Sequence, residues 1–180
     1  MIGYRITGRL PGVNINKEGE EQASRLTRLK ADAIFSSPLE RAVQTATPLA
    51  WNLGLEIQVS EAFSEVDFGD WSGITLRELE GFPDWKRFNQ FRSSVRLPGG
   101  ELMLDVQRRV VDKLGELAGS HPEQTVAVFS HADVIKAAVS HYIGAPLDLM
   151  DRIEIYPASV TRITVYEWGV KVFGVNEVCV

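Results

Sequence analysis

The stretch that decides the fold reads Phe35-Ser36-Ser37-Pro38-Leu39-Glu40-Arg41-Ala42-Val43-Gln44-Thr45-Ala46. It indicates the end of a buried strand, a proline turn and the start of a helix that we predict to stop at Gly54. Backbone N–H groups and the dipole at such a helix start favour an anion, and Arg41 in the first turn adds a planar cationic fork. The stretch therefore predicts a phosphate-binding turn, with an exposed surface arginine as the alternative interpretation of Arg41.

Strand and helix patterns alternate on both sides of this turn. We predict helices at residues 17–29, 39–53, 102–118 and 134–143, strands at 33–36, 57–59 and 125–129, and a terminal hairpin at 159–167 and 170–175. Residues 61–97 are irregular and rich in aromatic side chains, which indicates a crossover that covers one end of a sheet. Such alternation is typical of a three-layer α/β sandwich with a mostly parallel sheet.

Length and composition narrow the classes of function. The 180 residues, 44% of them hydrophobic, fit one domain spanning 1–180. A net charge of -5 without a basic stripe argues against a nucleic-acid partner. The chain shows no apolar run of membrane-spanning length and no signal peptide, and its single cysteine is Cys179. We therefore expect a cytoplasmic protein with no membrane partner.

A second candidate position is His131, in Phe129-Ser130-His131-Ala132-Asp133. Ligands of open α/β sheets bind beyond the carboxyl ends of the strands, and His131 directly follows an apolar run. It could stabilise or position a phosphoryl group, or it could be a structural hydrogen-bonding residue. Ser130 is a poor nucleophile for it, since adjacent strand residues point to opposite faces. His121, His131 and His141 lack the short spacing of a zinc site.

An acidic segment lies between these two positions, in Glu65-Val66-Asp67-Phe68-Gly69-Asp70-Trp71-Ser72-Gly73. Aromatic neighbours could desolvate the carboxyl group of Glu65 and raise its pKa toward neutrality, which suits a general acid. Asp67 and Asp70 compete for this role on spacing alone. A solvated acidic loop is the alternative.

Taken together, these motifs resemble the histidine phosphatase superfamily, in its phosphoglycerate-mutase-like branch, over nearly the whole chain. The matching segments are Gly8–Gly12 with Gly19–Ala23, Ser36–Ala46, Glu65–Gly73, Gly100–Arg109, Ser130-His131 and Ala158–Thr161. The resemblance implies a phosphoglycerate-mutase-like fold and a phosphatase or phosphomutase that works through a phosphohistidine. It implies a small phosphorylated metabolite as partner and no cofactor, and it leaves the oligomeric state open, a homodimer included.

Residue roles follow from the same resemblance. It makes His131 the second catalytic histidine, Arg41 the phosphate clamp and Glu65 the proton donor, and it places Arg9 and Ala132 among the phosphate- or substrate-binding residues. The family usually has two glycines where this chain has Ala132 and Asp133. A carboxylate at this point could alter the charge preference for the substrate.

A larger departure concerns the start of the chain. The family opens with a strand that ends in Arg-His-Gly, whose histidine becomes phosphorylated, and here no histidine precedes His121. We therefore expect an N-terminally truncated domain that lacks its first strand, with the nucleophile encoded upstream of Met1 and little activity as it stands. A phosphatase is favoured over a phosphomutase, because the family's mutases generally carry longer insertions. The alternative is a pseudoenzyme that binds a phosphorylated ligand without turnover.

Overall fold

The computed structural model describes residues 5–178, so residues 1–4, Cys179 and Val180 lie outside it. The helices are α1 (Lys17–Arg25), α2 (Glu40–Leu53), α3 (Leu76–Leu79), α4 (Pro83–Gln90), α5 (Met103–Ser120) and α6 (Ala132–Tyr142). The strands are β1 (Ala33–Ser36), β2 (Ile57–Val59), β3 (Val126–Phe129), β4 (Ser159–Tyr166) and β5 (Gly169–Val178). Short 3-10 turns at Glu61–Phe63, Gly69–Trp71 and Leu147–Arg152 fill the connections.

Helix boundaries follow the capping residues closely. The side chain of Asn16 accepts a hydrogen bond from the backbone N–H of Gly19 and begins α1, as predicted. That helix ends earlier than predicted, at Arg25, because Leu26–Arg28 tighten into a 3-10 turn before the chain becomes extended at Leu29. Helix α2 ends at Gly54, which takes a left-handed conformation with φ of 66°.

The main sheet is parallel, with strand order β2-β1-β3. The predicted terminal hairpin is confirmed as β4 paired antiparallel with β5, and it forms a separate two-stranded sheet. Its turn is Glu167-Trp168, one residue earlier than the sequence suggested, because Gly169 already pairs with Tyr166.

Three layers result from the alternation of side chains along β1. Ile34 is buried against Leu49 of α2 on one face of the sheet. Phe35 points to the other face, where it belongs to a core with Val106 of α5 and Val134 of α6. The predicted α/β sandwich with a mostly parallel sheet is therefore confirmed.

The same register brings two loop starts together. Ser36, the last residue of β1, lies opposite Phe129, the last residue of β3. The chain that leaves β1 stays bound to β3, because the backbone N–H of Ser37 donates to the carbonyl oxygen of Phe129 at 2.8 Å. The carboxyl-terminal ends of β1 and β3 therefore lie side by side at one edge of the sheet. None of the helices within residues 5–178 is long and apolar enough to cross a membrane.

Candidate active site

His131 lies at this edge of the sheet, where it is the N-cap residue of α6. Its side chain is 5% exposed, and a hydrogen bond of 2.8 Å joins its Nε2 atom to Oγ of Ser37. The other ring nitrogen, Nδ1, lies 3.8 Å from Oε2 of Glu65. The two strand ends and the acidic loop therefore meet at one imidazole ring.

Glu65 lies on the acidic loop, and a backbone N–H group of that loop holds its carboxyl group in place. Its Oε1 atom accepts a hydrogen bond from the N–H of Val66 at 2.9 Å, while Oε2 faces His131. Burial, reinforced by the nearby charge of Asp133, raises the pKa of Glu65 to about 8. The carboxyl group therefore holds a proton at neutral pH. Desolvation is the expected cause, and the charge of Asp133 adds to it.

The imidazole of His131 is neutral under the same conditions. Burial lowers the pKa of His131 to about 3, and the positive charges of Arg41, Arg109 and Arg9 act in the same direction. Three guanidinium groups thus make the electrostatic potential at the site positive, and the protonated Glu65 does not offset it. Such a field favours an anion.

Arg41 is the member of this group that is free to bind one. It is the second residue of α2, and its Nη2 atom donates to the carbonyl oxygen of Gly8 at 2.8 Å. Its Nη1 atom is buried and finds no hydrogen-bond partner anywhere in residues 5–178. Because a buried donor without a partner is costly, this atom marks a place where a ligand oxygen is expected.

The start of α6 adds further donors beside His131. Ala132 is exposed, as the first residue of the helix. The first intrahelical hydrogen bond runs from the N–H of Ile135 to the carbonyl oxygen of His131, which leaves the N–H groups before it without helical partners. A helix start of this kind is suited to an anion, as predicted for Ala132.

Arg9 and Arg109 both bind the acidic loop that carries Glu65. The Nε atom of Arg9 donates to the backbone carbonyl of Glu65 at 2.7 Å, and Nη2 of Arg109 donates to the same oxygen at 3.3 Å. Both arginines form ion pairs with Glu101, at 2.9 Å and 3.1 Å. We call Arg9, Arg109 and Glu101 the clasp; it positions Glu65 through its main chain.

Glycines seat the acidic loop against the turn that carries Glu101. Gly69 has a φ of 52°, and a Cβ atom there would run into the carbonyl oxygen of Pro98. A Cβ atom on Gly100 would run into the carbonyl oxygen of Asp67. The two segments therefore pack backbone to backbone, and side chains at these positions are excluded.

This packing carries a prediction for stability. Gly69→Ala is expected to lower the free energy of unfolding by at least about 1–3 kcal/mol, since the left-handed conformation alone costs that much and the collision adds to it. Gly115→Ala is the matched control, because a Cβ atom on this glycine of α5 meets nothing; it should be neutral or stabilise by up to about 1 kcal/mol. Urea denaturation of both variants measures the difference, and equal midpoints would contradict the packing.

The competing candidates do not meet at the imidazole. Asp67 accepts a hydrogen bond from the N–H of Gly69, and the carboxylate of Asp70 lies against Gly99. Ser130 donates to the carbonyl oxygen of Phe63, in line with its rejection as a nucleophile. In the described part of the chain, no group of three or more His, Cys, Asp or Glu side chains is arranged to hold a metal ion.

The contact between Ser37 and His131 was not foreseen. With Glu65 on the far side of the ring, the three residues follow the order of a Ser-His-acid hydrolase. Two facts oppose that chemistry. Ser37 has no exposed surface, and an imidazole with a pKa of about 3 is a weak base at neutral pH.

Sequence reasoning also missed the roles of the clasp. Glu101 and Arg109 stood in the long-helix segment without an assigned function, and Arg9 was expected to touch substrate. Helical spacing gives no signal for this pair, because Glu101 lies before α5, which begins at Met103.

Comparison with known proteins connects this geometry to a family. The model of the histidine phosphatase superfamily (branch 1) matches residues 4–178. Phosphoserine phosphatase 1 of Hydrogenobacter thermophilus is 34% identical over 185 residues, which cover 98% of this chain and 88% of that protein. Glucosyl-3-phosphoglycerate phosphatase of Mycobacterium tuberculosis is 28% identical over 159 residues, covering 81% of this chain and 71% of that protein.

Solved structures show the same fold. The native mycobacterial glucosyl-3-phosphoglycerate phosphatase superimposes with a TM-score of 0.87 at 23% identity, covering 98% of this chain and 92% of that one. The Bacillus stearothermophilus protein YhfR superimposes with a TM-score of 0.85 at 26% identity, covering 98% and 95%.

Proposed function

Since the chain belongs to the histidine phosphatase superfamily, we propose that it carries the phosphate-binding and acid-base groups of a phosphatase for a small phosphomonoester. The observation that supports this most directly is the buried Nη1 atom of Arg41, which lacks a partner in residues 5–178. A phosphate oxygen would supply the missing acceptor, and a charge-assisted bond to it would be strong.

The site residues then have distinct roles. Arg41 and the N–H groups at Ala132 hold the phosphoryl oxygens, and Arg9 contributes positive charge while it holds the loop. His131 is neutral when the site is empty, and a phosphate dianion beside it would raise its pKa and favour the imidazolium. Glu65 gives its proton to the bridging oxygen as the P–O bond breaks, so that the leaving group departs as an alcohol.

A nucleophile must form the new bond to phosphorus, and family members use a histidine for this step. The remaining histidines of the chain are elsewhere: His121 caps the C-terminal end of α5, and His141 is in the last turn of α6. We therefore propose that the 180 residues bind phosphate but turn it over very slowly without a further histidine. A ligand-binding pseudoenzyme is the second candidate, since Arg41 and His131 would suit phosphate binding without turnover.

One observation from the comparisons favours a phosphatase over a phosphomutase. Both relatives compared above carry the name of a phosphatase. Their names give different substrates, phosphoserine in one and glucosyl-3-phosphoglycerate in the other. These names together support a small phosphomonoester as the substrate class and do not single out one compound.

Phosphate binding can be tested on the chain as it stands. Arg41→Gln should weaken the binding of inorganic phosphate at least about tenfold, because it removes a charged hydrogen-bond donor. Isothermal titration calorimetry measures the change. Arg108→Gln is the control, since this arginine on α5 is 82% exposed and should leave the affinity unchanged. Equal affinities for the Arg41 variant and the unaltered chain would remove the main support for the proposal.

A further inference from the structure

A second buried guanidinium group lies beside the first turn of α6, where its Nη1 atom is 3.8 Å from Oδ2 of Asp133. Arg92 follows α4, and its side chain is 8% exposed. Its Nε and Nη2 atoms bind Oδ2 of Asp151 at 2.9 Å and 2.7 Å, and Nη2 also donates to Asn89. The guanidinium carbon lies 4.7 Å from the centre of the Phe88 ring. One end of the guanidinium is thus rigidly held.

The other end of this guanidinium is unsatisfied. Nη1 of Arg92 is buried and makes no hydrogen bond within residues 5–178. It faces Oδ2 of Asp133 at 3.8 Å, which is an ion-pair distance but too long for a hydrogen bond. The neighbouring turn is fixed as well, because Ser93 donates to Asp148 through both its N–H and its hydroxyl group.

Asp133 connects this guanidinium group to the candidate active site. It is two residues beyond His131 in the first turn of α6, and its charge is close enough to raise the pKa of Glu65. Its side chain is 23% exposed, so a ligand can reach it. Within the described chain it has the long ion pair to Arg92 and accepts no hydrogen bond. Burial raises the pKa of Asp133 against the opposing charges of Arg92 and Lys136, and a ligand ammonium group beside it would favour its ionised form.

A carboxylate and a guanidinium nitrogen thus stand next to each other at the site, and each lacks hydrogen bonds. Leaving such groups unsatisfied is costly, and a charged ligand group of opposite sign recovers the most. Asp133 requires a donor, which an ammonium group supplies, and Nη1 of Arg92 requires an acceptor, which a carboxylate supplies. A second phosphate group would satisfy Arg92 but would be repelled by Asp133.

We propose that the phosphoester bound here is an O-phosphorylated α-amino acid, whose ammonium group binds Asp133 and whose carboxylate binds Nη1 of Arg92. The proposal rests on the phosphatase site described above, with the phosphoryl group on Arg41. It makes Asp133, which replaces a glycine of the usual family pattern, the residue that selects for the ammonium group.

The test is a titration series on the 180-residue chain with four ligands. Inorganic phosphate reports the phosphoryl site alone, and O-phospho-L-serine carries both additional groups. The compound 3-phosphoglycerate has a hydroxyl group in place of the ammonium group, and O-phosphoethanolamine lacks the carboxylate. O-phospho-L-serine should bind at least about tenfold more tightly than either single-group analogue, because each loses one charge-assisted hydrogen bond.

Two variants separate the contribution of Asp133 from general effects. Asp133→Asn keeps the shape but loses the charge, so the preference for O-phospho-L-serine over 3-phosphoglycerate should fall to about twofold or less. Asp112→Asn removes a carboxylate that is 70% exposed on α5 and should retain the full preference. Thermal melting verifies that both variants fold.

The outcomes distinguish the two proposals. If phosphate binds and the three organic ligands bind equally well, the amino-acid proposal is wrong and the phosphatase proposal stands. Tighter binding of 3-phosphoglycerate than of O-phospho-L-serine would likewise contradict the amino-acid proposal and leave the phosphatase proposal standing. If inorganic phosphate itself does not bind, both proposals fall. Because the ligand series uses the unaltered chain, it remains decisive even if Asp133→Asn fails to fold.

Discussion

A chain extended at its N-terminus by a strand that ends in Arg-His-Gly is expected to hydrolyse an aryl phosphate at least about 10³-fold faster than the 180 residues alone. The added histidine would supply the nucleophile that forms a covalent phosphohistidine. Arg41, His131 and Glu65 are already placed around a shared site, so the extension need contribute only the attacking group. Steady-state release of nitrophenol from nitrophenyl phosphate measures the gain.

The control for this experiment is the same extension with asparagine in place of the added histidine. This control retains the strand and removes the nucleophile. It therefore shows how much of any change comes from the added stability of the strand and not from the histidine. Two results would count against the proposed function. Ordinary enzymatic turnover by the 180 residues alone would place the nucleophile elsewhere, and an extended chain that binds phosphate without turnover would favour the pseudoenzyme.

The second large effect concerns the proton donor in the active, extended chain. Glu65→Gln keeps size and hydrogen bonding but has no proton to give, so it should slow the hydrolysis of alkyl phosphates by about 10²–10⁴-fold. Nitrophenolate leaves without protonation, and turnover of nitrophenyl phosphate should change far less. The pKa of Glu65 is raised to about 8, so with an alkyl substrate the rate of the unaltered enzyme should fall as pH rises through this value. The variant should lose that decrease.

Asp67→Asn is the matched control for the acid. Asp67 lies on the same loop, but its carboxylate accepts a hydrogen bond from the N–H of Gly69, which the amide oxygen of asparagine can also accept. This variant should keep both the rate on alkyl phosphates and the pH profile. Equal losses on alkyl and aryl substrates for Glu65→Gln would mean that Glu65 shapes the site without transferring a proton.

Local sequence patterns were sufficient for the layers of the fold and for the place of the site. Glycine and asparagine caps define α1 and α2, and apolar spacing defines α5, because these signals act within a few residues. The rule that ligands bind beyond the carboxyl ends of parallel strands then predicts that Arg41 and His131 lie near each other.

Contacts between distant residues could not be predicted in the same way. Ser37 and His131 are 94 residues apart, and their hydrogen bond depends on β1 and β3 being neighbours, which no local pattern determines. Nothing in the sequence around Arg92 distinguishes it from an exposed arginine. Its importance comes from burial by α4 and from Asp151 in a distant turn, so only the tertiary structure reveals it.

The clasp has a consequence for how this site can evolve. Arg9 and Arg109 bind the carbonyl oxygen of Glu65 and not its side chain, so this part of the loop's anchoring does not depend on which side chain stands at position 65. A substitution at position 65 can therefore exchange one proton donor for another, with a different length or acidity, while the anchoring of the main chain persists. The clasp therefore fixes the position from which a side chain at residue 65 enters the site, whichever side chain that is.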